Sequence, residues 1–354
     1  MATDNPTIDV RKGEELDVQA VDAVLKATVS GLSGDPSVAQ YSSGASNLTY
    51  ALDYPKRRLV LRRPPFGTKP KSGHDMHREY RVMTALKPAF PAVPSTLYYT
   101  DDESVIGSEF YVMDRVEGHM ITKIPESWDW NAKQWRKLCE NFFQNLVDLH
   151  QVDYKAIGLA DFGRPEGYVD RQIGGWNKRW GRAWTEDVEK FDDVQQWLED
   201  NKPKTETRAG ILHGDYRIDN CILNLDDATK VDAILDWEIS ALGDPLMDLG
   251  NTLSYWIQAD DPAMMQLTLR QPSNAPGMMT RQEILDFYAE RTGADVSNFQ
   301  FYYVYGLWRL AVIIQQIYYR YYHGQTDNPR FKGFAQMTTA LGKLARLKMN
   351  SGEL

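Results

Sequence analysis

The sequence predicts an α+β protein in which a small antiparallel sheet comes first and a larger, mainly helical part follows. Apolar residues that alternate with polar ones, between turn residues, predict strands over 38–42, 48–53 and 58–62. After residue 130 the apolar residues recur at helical spacing instead. A predicted hairpin with the acidic pair Asp226-Asp227 at its turn interrupts the helical part. The polar residues that flank this hairpin are the most informative in the chain.

The first part is completed by helices on either side of the strands. Apolar residues at helical spacing predict a helix over 16–32, which Gly31 and Gly34 end. A second amphipathic helix is predicted over 75–86, and it carries Glu79. A further strand pair is expected over 95–100 and 109–116.

The helical part begins with a helix capped by Asn131. Two long helices, roughly 296–322 and 328–349, end the chain, and their aromatic residues are expected to form core. Between these regions, Trp176, Trp180 and Trp184 recur every four residues with arginines beside them. This stripe is typical of a helix core. The alternative is an acceptor pocket in which aromatic faces and arginines hold an extended or anionic substrate.

Composition excludes several classes of function. The chain has 354 residues, of which 42% are hydrophobic, as expected of a globular protein with room for two lobes. Its net charge of −9 and the lack of a long Lys/Arg run argue against a nucleic-acid partner. The longest apolar stretch, 301–314, contains Arg309 and is too short to span a bilayer. Cys139 and Cys221 show neither disulfide nor zinc spacing, so a reducing cytoplasm is expected.

A short motif after residue 210 suits phosphoryl transfer. His213-x-Asp215-x-x-x-x-Asn220 has the H-x-D-x-x-x-x-N spacing of a kinase catalytic loop. A carboxylate must accept the hydrogen bond of the attacking hydroxyl, and Asp215 suits that role. We therefore assign Asp215 and His213 to a candidate catalytic loop.

The hairpin that follows supplies the remaining polar groups. It begins after Asn220, and its second strand ends at Asp236. Mg²⁺ prefers hard oxygen ligands, and it needs few of them from the protein when phosphates and water complete its shell. We expect Asn220 and Asp236 to hold the ion.

The segments HGDYRIDN, LDWE and GDPLMDLG together resemble the aminoglycoside phosphotransferase and choline kinase family. Within this family, the sequence most resembles the kinase-like proteins associated with acyl-CoA dehydrogenases. The resemblance covers roughly residues 35–335 and implies a bilobal, protein-kinase-like fold that uses ATP and Mg²⁺. It further implies an N-lobe over 1–113, a hinge over 114–118 and a C-lobe over 119–354. Asp244 and Asp248 would brace the catalytic loop.

The resemblance also implies a nucleotide site in the first part. The turn between the first two strands would lie over the phosphates, its small side chains admitting backbone N–H groups to the oxygens. That turn consists of Ser43, Gly44, Ala45, Ser46 and Asn47.

On the third strand, Val60 and Arg62 share one face because strand side chains alternate. Kinases place a phosphate-binding Lys at the position of Arg62, so this chain departs from the family pattern. Arginine still binds phosphate, but as a planar fork. The resemblance pairs Arg62 with Glu79; in the absence of that pair, Glu79 would be an ordinary surface residue.

The strand over 109–116 leads into the implied hinge. Met113 would line the adenine pocket, and backbone groups near Asp114 and Val116 would hold the base. The alternative is a buried edge strand that ends at Gly118.

The reaction predicted is transfer of the γ-phosphate of ATP to a hydroxyl of a small-molecule acceptor. A hydroxyacyl group, free or carried on CoA, is preferred over an aminoglycoside or a choline-type acceptor. A nucleotide-binding pseudokinase without turnover is the main alternative, and a metal-dependent phosphoesterase is a third. No nucleic-acid or membrane partner is expected, and the motifs leave the oligomeric state open.

Overall fold

A computed structural model describes residues 7–42, 47–65, 75–204, 208–352 and 354, apart from the side chain of Met264. The described chain divides into two units. The first contains residues up to Ile121 together with Tyr154–Leu159 and Ile218–Ser240, and the second contains the rest. The sequence placed 218–240 in the C-lobe, whereas here this segment belongs to the first unit. The lobe and hinge boundaries implied by the resemblance stay a prediction.

The first unit is built on one antiparallel sheet of six strands in the order β1-β2-β3-β4-β6-β5. Its elements are β1 (Thr7–Ile8), α1 (Val18–Thr28), β2 (Ser37–Tyr41), β3 (Leu48–Tyr54), β4 (Arg57–Arg63), α2 (Met76–Leu86), β5 (Thr96–Thr100) and β6 (Phe110–Asp114). The predicted meander and strand pair are therefore both present. They join through β4 and β6, a pairing that the sequence did not specify.

One face of this sheet forms an apolar core with α1. Leu59 and Leu61 of β4 and Val112 of β6 pack there with Val21 and Leu25 of the helix. Asp17 caps the helix, since its carboxylate accepts the N–H of Ala20. Because strand side chains alternate, the residues of β4 between these leucines face the other side of the sheet.

Helix α2 begins at the predicted position, where the carboxylate of Asp75 accepts the N–H of Arg78. Its buried face contains Met76, Met83 and, unexpectedly for an acidic residue, Glu79, which is fully buried. The surface position considered for Glu79 is therefore wrong. Tyr80 is half-buried and stacks on Tyr99.

A hairpin later in the chain completes the first unit. It consists of β8 (Cys221–Leu223) and β9 (Val231–Ile234). Leu223 forms a bridge with His119, and the N–H of Ile234 donates to the carbonyl of Ala92. These backbone hydrogen bonds attach the hairpin to chain that lies more than a hundred residues earlier.

The second unit is mainly helical. Its elements are α3 (Ala132–Gln151), α4 (Tyr168–Ala183), α5 (Asp192–Asp200), β7 (Gly210–Leu212), β10 (Ala241–Gly243), α6 (Pro245–Ser254), α7 (Ala263–Gln266), α8 (Arg281–Thr292), α9 (Phe299–Tyr322) and α10 (Phe334–Ser351). Helix α10 begins later than predicted because Asn328 caps a 3₁₀ turn, Pro329–Gly333, before it. The sheet before and the helices after confirm the predicted α+β class.

Two glycines allow α6 and α9 to pack closely. A Cβ atom at Gly306 would lie 2.2 Å from the carbonyl oxygen of Gly250, and one at Gly250 would lie 2.3 Å from that of Tyr302. Any larger side chain would push the helices apart. This contact fixes the helix that carries Asp248 against the helix that carries Arg309.

No helix in the described part of the chain is long and apolar enough to cross a membrane.

Candidate active site

The candidate catalytic loop leaves β7, which pairs with β10 in the second unit. Asp248 of α6 holds it: one carboxylate oxygen accepts the N–H of His213 at 2.7 Å and the other accepts the N–H of Gly214 at 2.8 Å. Gly214 has a φ of +84°, a conformation that favours glycine. Asp248 therefore sets the path of the backbone that presents Asp215, as the family resemblance implied.

His213 supports the same loop from inside. Its ring is fully buried, and its Nδ1 accepts the N–H of Asp215 at 3.2 Å. A ring placed in this way orients the backbone of Asp215 and does not itself face solvent. The geometry therefore gives His213, which the sequence placed with the catalytic residues, a positioning contact.

A buried network stands behind Asp248. His150 Nε2 lies 3.2 Å from Asp248 Oδ2, and His150 Nδ1 lies 2.8 Å from the hydroxyl of Tyr288. Burial by itself would raise the pKa of Asp248, but the hydrogen bond from His150 and the backbone of His213 hold it below the ordinary value. Asp248 is therefore a charged acceptor at neutral pH.

Asp244 has a different role from Asp248. Its carboxylate caps α6 by accepting the N–H of Leu246 at 2.9 Å, and it also accepts the hydroxyl hydrogen of Tyr302 at 2.8 Å. It thus links the start of α6 to α9.

Two arginines of the second unit contact the catalytic loop at Asp215. Arg217 Nη2 lies 3.3 Å from Asp215 Oδ2, and Arg309 Nη2 donates to the carbonyl of Gly214 at 3.0 Å. About a fifth of the Asp215 side chain is exposed (21%). The carboxylate is therefore both held in place and reachable by a small molecule. The sequence motifs gave no sign of Arg217 or Arg309.

In the first unit, Arg62 bridges two carboxylates. Its Nη1 donates to Glu79 Oε2 at 2.9 Å, and its Nη2 lies 3.5 Å from Asp236 Oδ1. The pair between Arg62 and Glu79 is therefore present. Burial lowers the pKa of Arg62, but Tyr111, Glu79 and Asp236 together raise it. The guanidinium stays charged and faces away from the α1 core.

Two further residues complete this cluster: Tyr111, which the sequence motifs did not indicate, and Asn47 of the expected phosphate turn. The hydroxyl of Tyr111 donates to Glu79 Oε2 at 2.7 Å, and the amide of Asn47 donates to Glu238 Oε2 at 3.2 Å. Tyr111 lies opposite Arg62 in the register of β4 and β6. Burial raises the pKa of Glu79, and Arg62 and Tyr111 oppose that rise.

Asn47 is the one member of the expected phosphate turn that is described. It is buried, and its amide also reaches Glu79 Oε1 at 3.4 Å. Its side chain therefore binds acidic groups at the start of β3. Ser43, Gly44, Ala45 and Ser46, also expected in this turn, lie outside the described residues.

The expected metal ligands lie side by side at one end of the late hairpin. The N–H of Leu235 donates to the carbonyl of Asn220 at 2.8 Å, so the two segments that flank the hairpin are hydrogen-bonded to each other just before Asp236. Asp236 has a φ of +68°, a left-handed conformation that Asp tolerates better than most residues. Trp237, buried next to it, donates to the carbonyl of Ile234.

This donor set fits Mg²⁺. An amide oxygen and a carboxylate are hard ligands, and two of them suffice where phosphate and water supply the others. The described residues contain no group of three or more His, Cys, Asp or Glu side chains that would enclose a metal by itself. Asp236, with 36% of its side chain exposed, remains open to an ion carried by a nucleotide.

The expected adenine site lies on the sheet face opposite the α1 core. Val60 and Met113 are direct neighbours in the register of β4 and β6, and both are buried. The N–H of Asp114 already donates to the carbonyl of Ser95, and its carboxylate binds Arg57. In the described chain, the N–H of Val116 has no such backbone acceptor.

Comparison with known proteins gives a family match. The model of the phosphotransferase enzyme family matches residues 37–283. Among curated proteins, acyl-CoA dehydrogenase family member 10 of Mus musculus is 32% identical over 96% of this chain. Acyl-CoA dehydrogenase family member 11 of Gallus gallus is 32% identical over 97% of it. The chain spans only 32% and 45% of the length of these two relatives.

Solved structures share the fold. A protein of Ralstonia eutropha JMP134 assigned as an aminoglycoside phosphotransferase has 30% identity and a TM-score of 0.83, covering 95% of this chain and 98% of its own. A choline kinase of Cryptosporidium parvum has 13% identity and a TM-score of 0.65, covering 94% and 96%. The second similarity speaks for the fold alone. Together these matches confirm the resemblance and the kinase-like fold inferred from the motifs.

Proposed function

Since the chain belongs to the phosphotransferase enzyme family, we propose that it transfers the γ-phosphate of ATP to a hydroxyl of a small organic acceptor, with Mg²⁺ as the required ion. The observation that carries the proposal is the position of Arg62, which bridges the buried Glu79 and the partly exposed Asp236. In this arrangement the guanidinium of Arg62 would bind the phosphates of the nucleotide next to Asp236, the carboxylate that would hold the metal ion.

The nucleotide would bind to the first unit. Val60 and Met113 provide an apolar surface for adenine, and the N–H of Val116 provides a hydrogen-bond donor. Arg62 would bind a phosphate oxygen while Glu79 fixes the orientation of its guanidinium. Asn220 and Asp236 would hold Mg²⁺, which neutralises charge on the phosphates when bound.

Asp215 would act on the acceptor. Its carboxylate accepts the hydroxyl proton as the acceptor oxygen forms a bond to the γ-phosphorus. The bond from that phosphorus to the oxygen bridging to the β-phosphate breaks, and ADP leaves with the electron pair. The proton then passes from Asp215 to solvent. Asp248 and His213 keep Asp215 in position through the backbone hydrogen bonds of the loop.

For the acceptor we propose a hydroxyacyl compound, free or carried on CoA. Support comes from the relatives named acyl-CoA dehydrogenases, which match nearly the whole of this chain with less than half of their own length. A kinase that acts before such an enzyme in a reaction sequence would phosphorylate the hydroxyl of a hydroxyacyl compound, and the dehydrogenase would then act on the product. We also propose a cytoplasmic location, a reducing compartment in which the buried free thiols of Cys139 and Cys221 persist.

The test is a Mg²⁺-dependent ADP-release assay with hydroxyacyl-CoAs, hydroxy acids, choline, sugars and aminoglycosides. Asp215→Asn should lower kcat by about 10²- to 10⁴-fold while ATP still binds. Asp236→Asn should raise the Mg²⁺ concentration needed for half-maximal rate. Asp226→Asn, which changes an exposed carboxylate at the turn of the same hairpin, is the matched control and should leave the rate unchanged.

A pseudokinase is the second candidate, because Arg62 replaces the usual lysine. ATP that raises the melting temperature without ADP release on any acceptor would favour it. Acceptor-stimulated release that Asp215→Asn abolishes would exclude it. Full turnover by Asp215→Asn would refute the role of that residue, and phosphate release from an ester without ATP would point to a phosphoesterase.

A further inference from the structure

Two guanidinium groups lie against one tryptophan ring in the second unit. The guanidinium carbon of Arg179 is 4.5 Å from the centre of the Trp176 ring, and that of Arg309 is 5.3 Å from it. A cation over an indole ring is favourable, but two cations at one ring also repel each other. An anion bound beside them would remove that repulsion.

Arg309 connects this ring to the catalytic loop. It belongs to α9, where its side chain is buried, and its Nη2 holds the carbonyl of Gly214, next to Asp215. Among the described residues, its Nη1 is buried and has no hydrogen-bond partner. A buried charged donor without an acceptor is costly, and such groups are often completed by a ligand.

The packing of α4 on α9 holds this arrangement rigidly. Trp308 Nε1 donates to Asn177 Oδ1 at 3.0 Å, and the rings of Trp180 and Trp308 lie 4.7 Å apart. Trp176 itself is half-buried, and Arg179 is exposed. The tryptophan stripe therefore divides: Trp180 belongs to the core, whereas the half-buried ring of Trp176 is contacted by the exposed Arg179 and the buried Arg309.

Further positive charge surrounds Tyr255, close to the same loop. Arg217 lies 4.9 Å from its ring centre. Burial and Asp215 raise the pKa of Tyr255, and the charges of Arg309, Arg217 and Arg270 lower it. Three arginines thus act on one tyrosine beside a single carboxylate, in a chain whose net charge is −9.

We propose that the acceptor carries an anionic group, a carboxylate or a phosphate, which Arg179 and Arg309 bind at the Trp176 ring while its hydroxyl meets Asp215. This rests on the proposed function and narrows its substrate class. A cationic acceptor such as choline or an aminoglycoside would add to the repulsion between the arginines. A neutral acceptor could offer Nη1 of Arg309 only an uncharged oxygen and would leave the repulsion between the two guanidinium groups uncompensated.

The experiment compares acceptors of different charge, among which 4-hydroxybutyrate and its neutral amide are a pair matched in size and hydroxyl position. At saturating MgATP, kcat/KM is measured for 4-hydroxybutyrate, its neutral amide, 3-hydroxybutyryl-CoA and choline. The anionic acceptors should exceed the amide by about 10- to 100-fold, the range of a charge-assisted hydrogen bond. Preference for the free acid identifies a carboxylate as the anion, and preference for the CoA ester identifies a phosphate. Equal use of acid and amide, or preference for choline, overturns the proposal.

Variants assign the effect to the two arginines. Arg179→Gln, at an exposed position, should remove most of the preference for anions and leave KM for ATP unchanged. Arg179→Lys and Arg309→Lys should each retain part of the preference for anions, since both variants keep the positive charge. Arg182→Gln, exposed on the same helix, is the matched control. An equal loss for acid and amide in Arg179→Gln would mean a structural role and overturn the proposal.

A binding measurement separates this inference from the function it rests on. Calorimetric titration of 4-hydroxybutyrate and its amide, in the presence of ADP and Mg²⁺, needs no turnover. Binding of the acid alone, lost in Arg179→Gln, supports the anion site even if no acceptor is phosphorylated. Turnover of neutral acceptors without any preference for the acid supports the kinase and refutes the anion site.

Discussion

The N–H of His213 donates to Asp248 Oδ2 across 2.7 Å, although the two residues lie 35 positions apart in the chain. The second oxygen of the same carboxylate holds the next N–H of the loop, so one side chain determines the direction of both peptide groups before Asp215. His150 holds that carboxylate from the buried side, and the hydroxyl of Tyr288 in turn orients the ring of His150.

Asp248→Asn should lower both stability and kcat. The amide retains one acceptor oxygen, so one of the two loop N–H groups loses its partner, at a cost of about 1–3 kcal/mol. Urea unfolding at pH 7 measures the loss, and Asp286→Asn, exposed on α8, is the control. Wild-type kcat in the variant would show that the loop keeps its form without Asp248.

The same substitution has a predictable pH dependence. The folded-state pKa of Asp248 lies below its ordinary value, so its stabilising effect is complete above the unfolded value of about 4. The effect is lost as pH falls through the folded-state pKa. The difference in unfolding free energy between wild type and Asp248→Asn should therefore be constant from pH 5 to 7 and shrink below about pH 4. A difference that grows on acidification would contradict the assignment.

Tyr111→Phe should shift the acid limb of ATP binding to higher pH. Its hydroxyl opposes the rise in the pKa of Glu79 that burial causes, so its removal lets that pKa rise further. Glu79 then becomes neutral at a higher pH and no longer orients Arg62. Dissociation constants for MgATP between pH 5 and 8 test this. Tyr99→Phe, which removes a hydroxyl bonded to Glu109, should leave the profile unchanged.

Arg62 variants should separate charge from geometry. Arg62→Met leaves Glu79 buried without its cation and should cost about 3–5 kcal/mol of stability as well as ATP binding. Arg62→Lys keeps the charge but replaces a planar fork by one ammonium group, so ATP should bind within about tenfold of wild type. Arg58→Lys, on the same strand in an exposed pair, is the control. Unchanged stability in Arg62→Met would refute the structural part of this role.

Gly306→Ala should destabilise the second unit by about 1–3 kcal/mol, because the new Cβ would lie 2.2 Å from the backbone of Gly250. Gly174→Ala is the matched control, since nothing lies within 4 Å of a Cβ there. It should be neutral or slightly stabilising because alanine favours the helix. Thermal unfolding of both variants tests the prediction, and equal melting temperatures would contradict it.

The parts of the site that depend on local sequence were predictable. Asp215, Asn220 and Asp236 lie in motifs with fixed spacing, and the alternation of β4 placed Arg62 on the correct face. The pairing of Arg62 with Glu79 came from the family resemblance, since a glutamate on an amphipathic helix is usually exposed.

Contacts that depend on register and packing were not predictable. Tyr111 contacts Glu79 only because β6 pairs with β4 in one register. The alternation of apolar and polar residues along a strand does not specify which strand it pairs with. Arg309 lies on a helix that sequence identified only as core, and its role follows from the close packing of α6 and α9. The membership of the late hairpin in the first unit follows from backbone hydrogen bonds, which carry no side-chain signal.

That hairpin bears on the order in which the protein is made. A ribosome releases the six-stranded sheet long before it synthesises Ile218–Ser240. Until then the backbone groups of Ala92 and His119 lack the partners that they have in the folded chain. The first unit therefore lacks this hairpin while most of α3, α4 and α5 is translated. A fragment that stops near residue 121 would lack this strand pair as well as the proposed metal ligands, so the first unit is completed only by a later segment of the chain.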